Sequence, residues 1–184
     1  MDVDVSVETG ERRLNQAVGM LVLCFSVILG LAKIKDDNIV QAMQLSKMQA
    51  VDTWNEYEAT KLKLHLLANS DLLLSALLSG PKAATAHAQI AGEEAHYQAE
   101  LPQLKASAET QDAGYNKLNY RDDQFDLADA MLGIAMALAG ITALTRLRWM
   151  LGVSLVFGIL GTAFVLAGFN GWALHPDWIV NLLS

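Results

Sequence analysis

The sequence predicts an all-α membrane protein with three transmembrane helices and a long antiparallel helical, coiled-coil-like hairpin between the first and second. Three observations lead there. Hydrophobic residues make up 53% of the 184-residue chain and charged residues 18%, an apolar bias high for a soluble protein. The apolar residues fall into three runs of about 20 residues, each long enough, at roughly 1.5 Å per residue, to cover a ~30 Å hydrocarbon core. Three buried core helices of that length would leave too little polar chain to cover them. Finally, the segment between the first two runs is rich in Ala, Leu, Lys, Glu and Gln, all good helix formers.

A tail, residues 1–13, leads into the first span, residues 14–34, "LNQAVGMLVLCFSVILGLAKI". A positive "ERR" precedes it, but no small-residue cleavage box follows and Lys33 and Lys35 close it. It therefore reads as a retained signal anchor. The single cysteine, Cys24, lies in this run. It excludes an intramolecular disulfide and reads as packing filler. Orientation rests on basic residues: Arg12, Arg13, Arg146 and Arg148 on one side, Lys33, Lys35, Lys117 and Arg121 on the other. The tie breaks on loop length, because basic residues count mainly in short loops. The short "RLR" connection favours a cytoplasmic N-terminus, with the hairpin and C-terminus periplasmic or extracellular.

Residues 35–123 form the predicted extramembrane hairpin. "SGPK" (79–82) divides it, leaving 45 residues from Lys35 to Ser79 and 42 from Lys82 to Asp123. Gly-Pro stops one helix and starts the next, so the tip is placed near 80–81, with arms about 60 Å long at helical rise. Val40, Met43, Ala50, Trp54, Tyr57, Leu64 and Ala68 share a stripe on the first arm, broken by Lys47 and Lys61. Ala84, Ala88, Ala91 and Ala95 follow the 4-3-4 spacing of a coiled-coil stripe on the second. Pro102 should kink or interrupt that arm, and "DAGYN" (112–116) is a second weak point. At the tip, Leu72, Leu73, Leu74, Leu77 and Leu78 surround the helix more completely than one alanine-rich arm can cover. Leu73 and Leu77 are therefore expected at an association surface.

The second span, residues 124–145, opens with Asp126 and Asp129. A helix N-terminus stabilises carboxylates, so Asp126 reads as an interfacial residue. Asp129 lies about one turn deeper, either structural at a packed interface or a group that handles ions or protons. Ala130, Gly133, Ala137 and Gly140 repeat at 3-4-3 spacing and are expected to pack against another helix as an oligomer interface. In the third span, residues 149–169, Gly152, Gly158, Gly161 and Gly168 let helix backbones approach. The interfacial C-terminal segment, residues 170–184, carries Trp172 and Trp178 for the aromatic belt. Pro176 and Asp177 there could start a short surface helix bearing Ile179, Val180, Leu182 and Leu183.

"DTWNEYEATKLKLHL" (52–66), "HYQAELPQLKASAE" (96–109) and "FDLADAMLGIAMALAGITALTRLRW" (125–149) resemble a bacterial membrane family catalogued as domain of unknown function 4337. The similarity runs from about Asn15 to Phe169. It implies the architecture above and no activity.

The chemistry is sparse. Glu93, His96 and Glu100 share a helical face and form the one weak metal candidate. Di-iron bundles need two such Glu-x-x-His pairs and two further glutamates, so a solvated face is the preferred reading. No nucleophile elbow or phosphate loop occurs, and a net charge of −7 gives nucleic acid no electrostatic help. The expectation is a non-enzymatic, cofactor-free, multi-pass protein of the bacterial inner membrane. Its partners would be the lipid bilayer, further copies of itself as a homo-oligomeric scaffold, or a larger membrane complex. The alternative is an ion-handling or carboxylate/His metal-binding membrane protein.

Overall fold

The computed structural model describes residues 2–172 and residue 174, with side chains described from Arg12 onward. Among them are three α-helices and no strand: α1 (Asp2–Leu77), α2 (Pro81–Thr145) and α3 (Arg148–Asn170). All three are long and apolar enough to cross a membrane. The chain forms two compact units, residues 42–116 and residues 1–41 with 117–184. The surface helix expected near Pro176 lies outside the described residues.

In the 42–116 unit, α1 and α2 pair antiparallel. Partner numbers fall on α2 as they rise on α1, from Ser46, whose Oγ donates to Gln111 O (2.9 Å), to Asp71, which meets His87. The turn occupies Leu78–Gly80. Leu78 N–H donates to Leu74 O and Ala84 N–H to Gly80 O, while Gly80 takes φ +92°, a conformation that disfavours a side chain. Helix stop and restart therefore fall where Gly-Pro places them.

On α1, Met43, Ala50, Tyr57 and Leu64 of the predicted stripe lie in the seam, whereas on α2 the seam lies one residue away from the predicted alanines. On α1 the covered positions are Met43, Ser46, Ala50, Thr53, Tyr57, Thr60, Leu64, Leu67, Asp71 and Leu74, alternating by three and four. Ser46, Thr53 and Thr60 replace Lys47, Trp54 and Lys61 as the second row. They are small, so the helices approach, and Ser46 and Thr53 have partners for their hydroxyls on Gln111. The lysines flank the seam instead of breaking it. Lys47, Lys61 and Lys63 sit over the rings of Tyr115, Tyr57 and Tyr97 at 5.2, 5.3 and 5.0 Å, within cation–π range. On α2, Ala84, Ala88, Ala91 and Ala95 are all exposed. Ala83, His87, Ile90, Glu94, Tyr97, Leu101, Leu104 and Ala108 form the seam instead, because a stripe with Ile, Tyr and Leu buries more apolar area than alanine alone.

No break occurs at Pro102, and α2 runs through it. Proline deprives the Gln98 carbonyl of its donor, but Gln98 and Pro102 are both exposed, so water can take the missing bond. "DAGYN" is a packing junction, not a weak point. Trp54 and Lys47 bind Asp112, and an added Cβ at Gly114 would meet Ser46 Oγ at 3.4 Å. The indole bond first, with Lys47 beside it, holds Asp112 below the usual carboxylate range.

In the other unit, α1 buries Val18, Phe25, Ala32 and Ile39 at intervals of seven, and α2 buries Phe125, Ala128, Leu132, Ala135 and Ala139. Glycines bring α3 close. An added Cβ would lie 2.0 Å from Phe25 Cζ at Gly158, 2.8 Å from Leu132 Cγ at Gly161 and 2.7 Å from Phe125 Cε2 at Gly168. Ser154 Oγ donates to Ala135 O at 2.7 Å. Gly152 meets nothing within 4 Å and takes no part. The stripe of Ala130, Gly133, Ala137 and Gly140 also stays out of this packing. Ala130, Ala137 and Gly140 are exposed and Gly133 half-buried. Between α2 and α3 the chain turns through Arg146, held at φ 61°, and Leu147.

Gly161→Ala should destabilise the protein by about 1–3 kcal/mol, because backbone atoms of Leu132 and Ala128 block the methyl and the helices must part. Gly152→Ala should instead gain about 0.5–1 kcal/mol from lower unfolded-state entropy. Thermal unfolding in nanodiscs, followed by circular dichroism, compares the two.

Candidate functional site

The seam of α1 continues through Ala32, Asp36 and Ile39, which puts a carboxylate where an apolar side chain belongs. Asp36 is 5% exposed. Lys33, one turn earlier, donates from Nζ to Asp36 Oδ2 at 3.0 Å, leaving Oδ1 without a donor among the described residues. Asp122 occupies the matching seam position on α2, between Leu118 and Phe125, and its Oδ1 likewise has no donor. The Asp36 carboxyl is near enough to act on that of Asp122. Burial first, then the Asp36 carboxyl, then the neighbouring charges of Asp126 and Asp123 push the Asp122 carboxyl up to about 7.

The same turn of α2 secures the end of α3. Arg121 donates from Nε and Nη2 to Gly168 O (3.1 and 2.8 Å), satisfying a carbonyl that the helix end leaves open. Gln124, fully buried, donates to Trp172 O and Leu174 O at 2.8 and 2.7 Å. Phe125 and Phe169 meet edge-to-face at 5.5 Å. Charge, cap and aromatic contact thus crowd into residues 121–125.

The residues singled out from sequence sit elsewhere. Asp126 and Asp129 are exposed on α2. They form no hydrogen bond or ion pair among the described residues, although Lys33 is near enough for its charge to act on both. Glu93 and His96 are exposed and Glu100 half-buried, and among the described residues no three His, Cys, Asp or Glu side chains could hold a metal ion. Leu73 and Leu77 are exposed. Sequence reasoning passed over Asp36 and Asp122. Their signal was positional: each interrupts a three-four alternation of apolar residues.

Because the folded-state pKa of Asp122 is raised, the native state holds a proton that the unfolded chain has released above about pH 4. Stability should therefore fall as pH rises from about 4 to 7 and level off above. Asp122→Asn, which keeps a donor toward Asp36 without titrating, should flatten that slope. Unfolding midpoints of both proteins at pH 5 and pH 8 measure it.

The sequence model of a family described as Domain of unknown function (DUF4337) matches residues 14–171. No curated protein and no solved structure matches the chain. Since the match reaches from the first apolar run through all of α3, the chain belongs to the DUF4337 family.

Proposed function

We propose that the protein is a non-enzymatic, multi-pass component of the bacterial inner membrane that acts as a homo-oligomeric scaffold or as part of a larger membrane assembly. The observation that carries this reading is the leucine cluster at the tip of the 42–116 unit. Leu72, Leu73 and Leu77 are 69%, 63% and 78% exposed in a polar part of the chain. Left in water, each forgoes roughly 1.5–3 kcal/mol of burial, and a contiguous patch of this kind marks a contact surface. Leu45, Met48, Leu62 and Leu66 extend the apolar exposure along α1. The outward stripe of Ala130, Gly133, Ala137 and Gly140 adds a face suited to close contact between helices in lipid.

The orientation proposed is N-terminus inside, with the hairpin and C-terminus outside. It is supported by Arg146 and Arg148 flanking the tight α2–α3 turn, where basic residues weigh most. A second reading, proton or ion handling, is favoured by the Asp36–Asp122 carboxyl pair. It predicts that Asp122→Asn abolishes a proton flux measurable in liposomes loaded with a pH dye.

Changing Leu73 and Leu77 together to Glu should lower the native mass of the detergent-purified protein, with helix content and membrane insertion unchanged. An unaltered mass would remove the tip as the association surface. For orientation, a periplasm-dependent reporter inserted at Gly80 or fused after Ser184 should be active. A reporter active only in the cytoplasm at both sites would reverse the assignment.

A further inference from the structure

A groove of about 510 Å³ lies between α1 and α3 in the unit formed by residues 1–41 and 117–184. Ile28, Leu31, Leu166 and Phe169 line its apolar length, and Lys35 and Asn38 line its far end. Its volume falls within the roughly 300–1,000 Å³ of small-molecule sites. From Ile28 to Asn38 the groove follows ten residues of α1, about 15 Å at helical rise. Of that length, Ile28 to Ile34 covers about 9 Å, roughly a third of the ~30 Å hydrocarbon core. Residues 14–34 are the apolar run, so the Ile28 end lies within the acyl chains of one leaflet and the Lys35 end at the core boundary. The groove is thus apolar at the depth of acyl chains and cationic at the depth of headgroups.

Lys35 is free to serve an anion. Lys33 is taken by Asp36, whereas Lys35 has no hydrogen bond or ion pair among the described residues. Asn38, exposed one turn beyond, adds an amide donor at the same end. We propose that this groove binds one membrane phospholipid, its phosphate on Lys35 and Asn38 and an acyl chain along Leu31 and Leu166. A helix from a second copy is the poorer occupant, since a spanning helix needs an apolar track through both leaflets, and it would bury Lys35 with no counter-charge. The proposal rests on membrane insertion and is independent of oligomerisation.

The test is native mass spectrometry of protein released from nanodiscs made of equal parts phosphatidylglycerol and phosphatidylethanolamine. The wild type should retain one phospholipid per subunit. Lys35→Glu should lower the retained fraction roughly tenfold, as expected for losing a charge-assisted phosphate contact. Leu31→Trp with Leu166→Trp, which fills the groove through two exposed positions, should abolish retention, with circular dichroism showing unchanged helix content. Lys35→Gln serves as the milder variant should the Glu protein fail to fold. Retention that is absent in the wild type, or unchanged in these variants, would overturn the proposal. So would a crosslink from Leu31 to a second copy in the lipid-free species.

Discussion

Buried and half-buried positions on α1 alternate by four and three from Val18 to Leu74 with no phase break: 18, 22, 25, 29, 32, 36, 39, 43, 46, 50 and onward. A period of 3.5 keeps one seam facing a partner helix along any length. Much of the rest follows from that constraint. Positions 36 and 122 must face inward because the register on either side fixes them there. Lysines 47 and 61 must lie beside the seam and reach tyrosine rings. Leucines at 73 and 77 must point away, whatever surrounds them.

A polar pair in an apolar seam lowers stability relative to a well-packed hydrophobic pair, and a buried polar group in a coiled coil fixes register. Asp36 and Asp122 meet that description, since sliding either helix by one turn would leave a carboxyl against apolar side chains. The pair also ties packing to protonation. Arg121 and Gln124, on the same turn of α2, tie it to the C-terminal end of α3, so a change in charge at residue 122 acts where three segments of chain converge.

Helix content, the apolar spans and the position of the tip were legible because they depend on composition, length and the Gly-Pro pair, all local. The register was off by one on α2, and on α1 in the second row alone. Ser46, Thr53 and Thr60 look solvent-facing by residue type, yet their small size makes them the better seam, and alanine rows attract attention out of proportion to the area they bury. Pro102 does not interrupt α2, because its cost depends on whether the orphaned carbonyl reaches water. The roles of Gly158, Gly161 and Gly168 could be read from small residues in an apolar run. The Asp36–Asp122 pair could not, since the two are far apart in sequence, and the α1–α3 groove depends on an adjacency that no local pattern encodes.

Exposed apolar side chains on α1 fall into two populations that look alike in the protein alone: Val27 is 55% exposed and Met48 59%. In a membrane-inserted chain the first would face lipid and the second water or a protein partner. Spin labels at Val27 and Ile159, and at Met48 and Leu62, on a Cys24→Ser background reconstituted in liposomes, test this directly through relaxation by oxygen and by a water-soluble nickel complex. Labels at 27 and 159 should respond mainly to oxygen, and labels at 48 and 62 should show no such oxygen preference. An equal oxygen preference at all four positions, or a nickel response at 27 and 159, would contradict the division of α1 into a membrane-spanning segment and an extramembrane arm.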